Sequence, residues 1–409
     1  MSLRRLFVIT GDASGDIHGA EVIHQIQRHL PQVDIQAIGG THIASTGVRL
    51  LYHQRKMGAL GLAVFGAIPS HWMLAKRLLR HFDTWQPDAV LLIDYGIFNL
   101  WMAKQLKQRG IKVFYYIPPQ VWASRAGRIK TIQRYVDHVF CIFPFEQKLY
   151  EDKGIPVTYV GHPLAEQLTD RPHRETFCYT HGLDPLCPIV GIFPGSRKAE
   201  VKSLLPAMLQ ATPMIQAQFP MKLQFLVAQS PAVDEAVFDA ILTRFASVRE
   251  HVTLKIVDNA NRDILALSQA ALVASGTVTL EAALYKTPVV IAYKMPWLGY
   301  FLFRQFGLVK SIGLPNLLAK QPFLPELLMN KVSPKEFTKA VLPYLTDTPE
   351  RQKALAAFDD IRAQLGAGSA SYEVVKGMAN LLHEPFVPTR TGPVALTEPQ
   401  PEHLDLQAG

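Results

Sequence analysis

The sequence predicts an α/β fold of two Rossmann-like domains, each a doubly wound parallel sheet, facing a common cleft. Three observations predict it. Short apolar runs ending in glycine or aspartate alternate with longer amphipathic stretches, the pattern of βαβ units. The runs form two series separated by a polar stretch, residues 171–184. The chain has 409 residues, 48% hydrophobic and 19% charged, so it can fill two or three cores of ordinary globular composition.

The first series of strands is expected at residues 6–10, 35–38, 89–93, 113–117, 138–142 and 157–160. The second is expected at 189–193, 223–228, 252–257, 272–274 and 289–292. The domains then run over 1–170 and 185–383, with the last helices able to pack back on the first domain. Residues 384–409 are proline-rich with little periodicity and read as a disordered tail. Ligands of such domains gather at the carboxyl ends of the strands, so chemistry is expected in the cleft.

Lysine and arginine exceed aspartate and glutamate by 42 to 34, a net charge of +8. That field attracts anionic lipid and phosphorylated substrates. No basic block is long enough for a nucleic-acid arm, and no nucleic-acid partner is expected. Cys141, Cys178 and Cys187 lack any CxxC or metal-ligand spacing and read as reduced and structural. The apolar run before Asp12 is too short for a secretory signal, so a cytoplasmic location is expected.

Two stretches suggest contact with a membrane surface. Residues 57–75 contain no Asp, Glu, Lys or Arg, but Pro69, Ser70 and His71 interrupt them, and they run into Lys76, Arg77 and Arg80. This fits a dipping segment better than a span. Residues 295–310 place Trp297, Tyr300, Phe301, Phe303 and Phe306 beside Arg304 and Lys310, a composition suited to the headgroup boundary. The alternative is that both are core helices or subunit contacts.

The first strand runs into GDASGDIHGA, which puts Gly11, Ser14, Gly15, Asp16 and Gly19 on the loop and first turn of a helix, where backbone amides attract anionic or hydroxyl-rich groups. It is neither the GxGxxG fingerprint nor a P-loop. Asp94 ends the run AVLLID, where it can serve as a general base raised by desolvation or cap the next helix. In the second half, Pro194-Gly195-Ser196-Arg197 follows a strand and can bind a diphosphate. Ser275-Gly276-Thr277 follows another, and its helix carries Glu281 in the first turn, placed to accept the hydroxyls of a ribose. His162 is either a cleft residue or a satisfied structural histidine. None of the 14 histidines has HExxH spacing, so no metal and no cofactor is expected.

Several segments in order resemble the lipid-A-disaccharide synthase family: GDASGDIHGA, QRKMGALGL, LLIDYGIFN, YYIPPQVWASR, FPFEQKLY, YVGHPLAE, FPGSRKAEV, ASGTVTLEAAL and GLPNLLA. The resemblance spans roughly residues 6–330. It implies the GT-B fold and an inverting glycosyltransferase of lipid A biosynthesis. The reaction implied joins UDP-2,3-diacylglucosamine to 2,3-diacylglucosamine 1-phosphate, without metal, peripheral to the inner membrane. It implies Asp94 as the catalytic residue. It also implies Ser196, Arg197, Gly276, Thr277, Glu281 and Asn316 on the donor side, and Asp12, Ser14, Gly15, Asp16, Trp122 and Arg125 on the acceptor side. Three places depart from the family's pattern. Asp12 stands for a glutamate, Gly96-Ile97-Phe98 for PDF, and Pro118-Pro119-Gln120-Val121-Trp122-Ala123-Ser124 for SPSVWAW. A related transferase with another lipid-linked acceptor, a UDP-sugar epimerase and a non-catalytic membrane-surface protein are the rival readings, and the homo-oligomeric state is left open.

Overall fold

The computed structural model describes residues 3–54, 68–122, 127–168, 171–294, 311–366 and 368–386. The chain divides into two compact units, Met1–Glu166 with Leu365–Gly409, and Gln167–Gln364.

The first unit holds a seven-stranded parallel sheet: β1 (Arg5–Ile9), β2 (Asp34–Gly39), β3 (Arg49–His53), β4 (Ala89–Ile93), β5 (Lys112–Tyr116), β6 (His138–Cys141) and β7 (Val157–Tyr159). Their order is β3-β2-β1-β4-β5-β6-β7. The connecting helices are α1 (Ala13–His29), α2 (Thr41–Ser45), α3 (Ile68–Trp85), α4 (Gly96–Gln108), α5 (Arg128–Tyr135), α6 (Pro144–Glu151) and α7 (Pro163–Gln167). Parallel strands need such crossovers, and strands covered on both faces must be apolar throughout. β4 is the plainest case, with all of AVLLI buried.

The second unit holds a six-stranded parallel sheet: β8 (Ile189–Phe193), β9 (Gln224–Gln229), β10 (Thr253–Asp258), β11 (Ala270–Ala274), β12 (Val289–Tyr293) and β13 (Glu326–Leu328). Their order is β10-β9-β8-β11-β12-β13. Its helices are α8 (Arg174–Thr180), α9 (Lys198–Gln216), α10 (Glu235–Arg244), α11 (Val248–His251), α12 (Asn261–Leu267), α13 (Thr277–Tyr285), α14 (Leu314–Leu318), α15 (Pro334–Val341) and α16 (Pro349–Gln364). The polar stretch 171–184 contains α8, anchored by Arg174, whose guanidinium donates to the carbonyls of Pro185, Cys187 and Leu267.

After α16 the chain returns to the first unit, where α17 (Ala370–Leu382) packs on α1, with the Tyr372 ring against His29, and buries Val374, Val375, Met378 and Leu382. Residues 384–386, assigned by composition to the tail, are held in place, and 387–409 lie outside the described residues. Glu384 accepts from the Leu3 amide, and the Phe386 ring stacks on His29 with centroids 4.8 Å apart.

The strand order reverses between β1 and β4 in the first sheet and between β8 and β11 in the second. A doubly wound sheet opens a crevice at that reversal, at the carboxyl ends of the two strands. The loops after β1, β4, β8 and β11 carry most of the residues singled out above.

α3 buries Leu74, Leu78, Leu79 and Phe82 against the core built around Phe7 and Leu92. Its other face exposes Trp72, Met73, Lys76, Arg77 and Arg80. Residues 55–67 and 295–310, which include most of the two stretches expected at a membrane surface, lie outside the described residues. Among the described residues no helix is long and apolar enough to cross a membrane.

Candidate active site

At the reversal of the first sheet, β1 delivers Asp12 and β4 delivers Asp94. Asp12 caps α1, its carboxylate accepting from the Gly15 amide at 2.7 Å. Asp94 and Tyr95 are consecutive left-handed residues, φ 49° and 52°, a costly conformation outside glycine. Two side chains hold it: the Tyr115 hydroxyl and the Asn99 amide donate to the Asp94 carbonyl at 2.8 and 2.9 Å. The turn places the Asp94 carboxyl where it feels the charge of Asp12.

Burial, and then the negative charge of Asp12, push the Asp94 carboxyl up to about 6, against the opposing pull of the Tyr95 amide and His18. A carboxyl so placed keeps a proton at mildly acidic pH and is a competent base near neutrality.

The Tyr95 ring lies flat against Gly11. A Cβ at position 11 would fall 2.1 Å from the Tyr95 Cγ, so only glycine admits the ring. The Tyr95 hydroxyl meets His71 Nε2 at 2.6 Å. Tyr95, His71, Asn99 and Tyr115 were not identifiable as site residues from the sequence, because each acts through a contact between distant segments.

Other expected acceptor-side residues have defined structural partners. Asp16 is buried and accepts from the amides of Gly40, His42 and Ile43 at 2.5, 2.9 and 3.1 Å, which fixes the start of α2. Trp122 is buried and donates its indole N–H to Glu146 at 2.8 Å. Burial raises the Glu146 carboxyl to about 7, opposed by bonds from Trp122 and from the Phe143 and Ile142 amides. Ser14 is exposed on the first turn of α1, whereas Gly19 lies a turn farther along than expected. Arg125 lies outside the described residues. His162 is a structural histidine. Its Nδ1 accepts from the Leu164 amide at 3.2 Å, and burial depresses its pKa to about 3.

At the reversal of the second sheet, the turn after β8 is set by Gly195 at φ 113°, with Glu200 folded back beneath it. Glu200 accepts from the Ser196 amide at 3.2 Å and from the Arg197 guanidinium at 2.7 Å. The Arg197 side chain is 69% exposed, so the ion pair orients the guanidinium without covering it. Glu200 is a site residue that sequence reasoning missed, although its position three after Arg197 is a helical neighbour's spacing.

The turn after β11 leaves Gly276 and Thr277 exposed at the N-terminus of α13. Glu281, expected in the first turn of its helix, is instead the fifth residue of α13, past that turn, because the helix starts at Thr277. Burial raises its carboxyl above the usual range, and Arg262, 3.8 Å away, opposes that shift. Asn316 is buried with its amide fully committed. It donates to the Leu324 carbonyl and Glu326, and accepts from the Phe323 and Leu324 amides. It supports the 311–326 loop, which also receives the Ser275 hydroxyl at the Ile312 carbonyl.

Among solved structures, the fold resembles UDP-GlcNAc 2-epimerase from Neisseria meningitidis bound to UDP-GlcNAc, with a TM-score of 0.65 at 13% identity, covering 92% of this chain and 100% of that one. A glycosyltransferase from Rickettsia africae ESF-5 matches with a TM-score of 0.59 at 12% identity, covering 93% and 99%. The architecture is GT-B, and at these identities the likeness concerns fold alone. Sequence relatives are nearer. The lipid-A-disaccharide synthase of Coxiella burnetii (strain Dugway 5J108-111) is 38% identical over 385 residues, 93% of this chain and 100% of that protein. The synthase of Geobacter metallireducens is 36% identical over 375 residues, 91% and 95% of the two chains. The family model for lipid-A-disaccharide synthetase matches residues 6–374. With a match over nearly its whole length, the chain belongs to the lipid-A-disaccharide synthase family of glycosyltransferases.

Proposed function

We propose that the chain joins UDP-2,3-diacylglucosamine to 2,3-diacylglucosamine 1-phosphate, giving the lipid A disaccharide 1-phosphate and UDP with inversion. The observation that carries this reading is the chemistry at the two strand-order reversals. One presents a raised carboxyl, Asp94, under the charge of Asp12, and the other an exposed arginine after β8 and an exposed helix N-terminus after the neighbouring strand β11. The first can take a proton, and the second can hold a diphosphate.

In the proposed step Asp94 removes the proton of the acceptor's primary hydroxyl. The oxygen bonds to the anomeric carbon as the bond from that carbon to the UDP oxygen breaks. Negative charge develops on the β-phosphate, where Arg197 and the α13 amides at Gly276 and Thr277 stabilise it. Glu281 takes the ribose hydroxyls. Glu200 keeps Arg197 and Ser196 in place, and Asn316 supports the neighbouring loop. On the acceptor side Ser14 and the start of α1 face the sugar, while Asp16, Gly15 and Trp122 hold that edge in shape. Arg125 joins them through the resemblance alone. The first unit takes the acceptor and the second the donor. Contact with the inner membrane is peripheral, through the stretches at 57–75 and 295–310.

The test is incubation of the chain with both substrates and mass detection of a disaccharide 1-phosphate, with Asp94→Ala as control. No disaccharide from the unaltered chain would overturn the reading. A second reading, transfer to a different lipid-linked acceptor, is favoured by Ile97, which is 60% exposed at the start of α4 where the family pattern has a carboxylate. A panel of acceptors with the same donor separates the two.

A further inference from the structure

Tyr95 joins the acid pair to an exposed apolar surface. Its ring covers Gly11, one residue from Asp12, and its backbone continues directly from Asp94. Its hydroxyl is 2.6 Å from Nε2 of His71, on α3. The Phe98 ring of α4 packs on both, with centroids 5.1 Å from Tyr95 and 5.9 Å from His71. One aromatic group therefore touches the loop after β1, the loop after β4 and two helices.

The outer faces of those helices share one pattern. On α3, Trp72 and Met73 are each 53% exposed immediately after His71, followed by exposed Lys76, Arg77 and Arg80. The Lys76 ammonium sits 3.4 Å over the Trp72 ring. On α4, Ile97 is 60% exposed and Trp101 39% exposed, one turn apart, followed by exposed Lys104. Apolar side chains thus lie at the ends nearest Tyr95, and cations lie a turn or more along. Two large aromatics and two aliphatics gathered in this way, rimmed by cations, match an anionic lipid surface, with acyl chains under the apolar ends and headgroups along the rim.

We infer that Tyr95 is a positioning residue. Through its hydroxyl on His71 and its ring on Gly11, it couples engagement of the α3 and α4 ends with lipid to the placement of Asp94. The inference rests on the reading of Asp94 as the base of the proposed transfer. Without lipid the left-handed turn at Asp94 and Tyr95 is held by Asn99 and Tyr115 and, through the Tyr95 hydroxyl, by an α3 end that nothing outside the protein fixes. An engaged one adds a fixed point at His71.

The test measures disaccharide formation by the full chain with two presentations of acceptor. One is acceptor in vesicles of phosphatidylethanolamine and phosphatidylglycerol, and the other a short-chain acceptor that stays monodisperse. The unaltered chain is expected to show a higher kcat on vesicles. Tyr95→Phe keeps the ring and loses the hydroxyl, so it should lower the vesicle-to-monodisperse ratio about fivefold, the worth of one hydrogen bond, with donor KM and sedimentation with vesicles unchanged. His71→Leu should lower the ratio at least as far, and adding Tyr95→Phe to it should lower it no further, because both substitutions remove the same Tyr95–His71 bond. His71→Gln, which can still bond the hydroxyl, should restore it. If Tyr95→Phe fails to fold by calorimetry, the two His71 variants decide. A full ratio in Tyr95→Phe, or vesicle binding that falls in step with it, overturns the coupling. An unaltered chain that is active but indifferent to vesicles also overturns it, whereas one that forms no disaccharide in either presentation removes the proposed reaction itself.

Discussion

The Asp94 carboxyl must lose its proton where a charge is least welcome. Burial is the larger reason its pKa stands at about 6, and the Asp12 carboxylate is the second. Its base form is complete only above that value, so kcat/KM for the transfer should rise with pH through about 6. Asp12→Asn removes the second contribution and leaves the first, so the rise should move to lower pH without reaching that of an exposed carboxylate. A pH profile of the two chains checks this. The same shift opposes folding: the folded state holds the proton longer than the unfolded chain, so stability from this group is present below about pH 4 and is lost as pH rises through about 6. Asp94→Asn should therefore inactivate the chain yet raise its stability above pH 6, by up to about 3 kcal/mol, with little difference at pH 4. Chemical denaturation at the two pH values measures it.

At the scale of elements, each candidate binding turn is set by a partner from elsewhere in its unit. Gly195 carries φ 113° directly over Glu200, so Gly195→Ala both strains the backbone and displaces the carboxylate that orients Arg197. Loss of donor affinity on the order of tenfold is expected, read by calorimetry with UDP, with a stability cost of about 1–3 kcal/mol. In the first unit, Glu146→Ala leaves the Trp122 indole and the Phe143 amide without their acceptor in a buried place. It should cost about 2–4 kcal/mol in thermal unfolding.

The turns show what a sequence can carry. The positions of Asp94, Arg197 and Gly276 at the carboxyl ends of strands were legible because each lies within four residues of the end of an apolar run, and a run buried on both faces has few other readings. Glu281 was misplaced by a turn because helix starts are set by backbone geometry rather than by the residue. Asn316 and Asp16 were legible as polar groups in suggestive places, but not as groups already committed to protein amides. Tyr95 on Gly11 and His71 on Tyr95 join segments dozens of residues apart, and no local pattern records them.

On the scale of the whole molecule, the central strands of both sheets were readable, and two edge strands were not. β3, with the pattern RLLYH, and β13, with ELL, are half-covered and lack the continuous apolar run of a buried strand. The return of the chain was expected from the sequence only as last helices able to pack back on the first domain, with no partner named for them. Its consequence is specific: α17 covers α1 in the first unit, so truncation after Gln364 should unfold that unit while the second keeps its own cooperative transition and its UDP affinity. Differential scanning calorimetry with and without UDP distinguishes them. The proposed transfer depends on Asp94 acting as its base. The most direct measurement is the turnover of Asp94→Ala at saturating donor and acceptor, paired with its UDP affinity. The account predicts a fall in kcat of about 10²–10⁴ with UDP affinity unchanged. Turnover within a few-fold of the unaltered chain would contradict it.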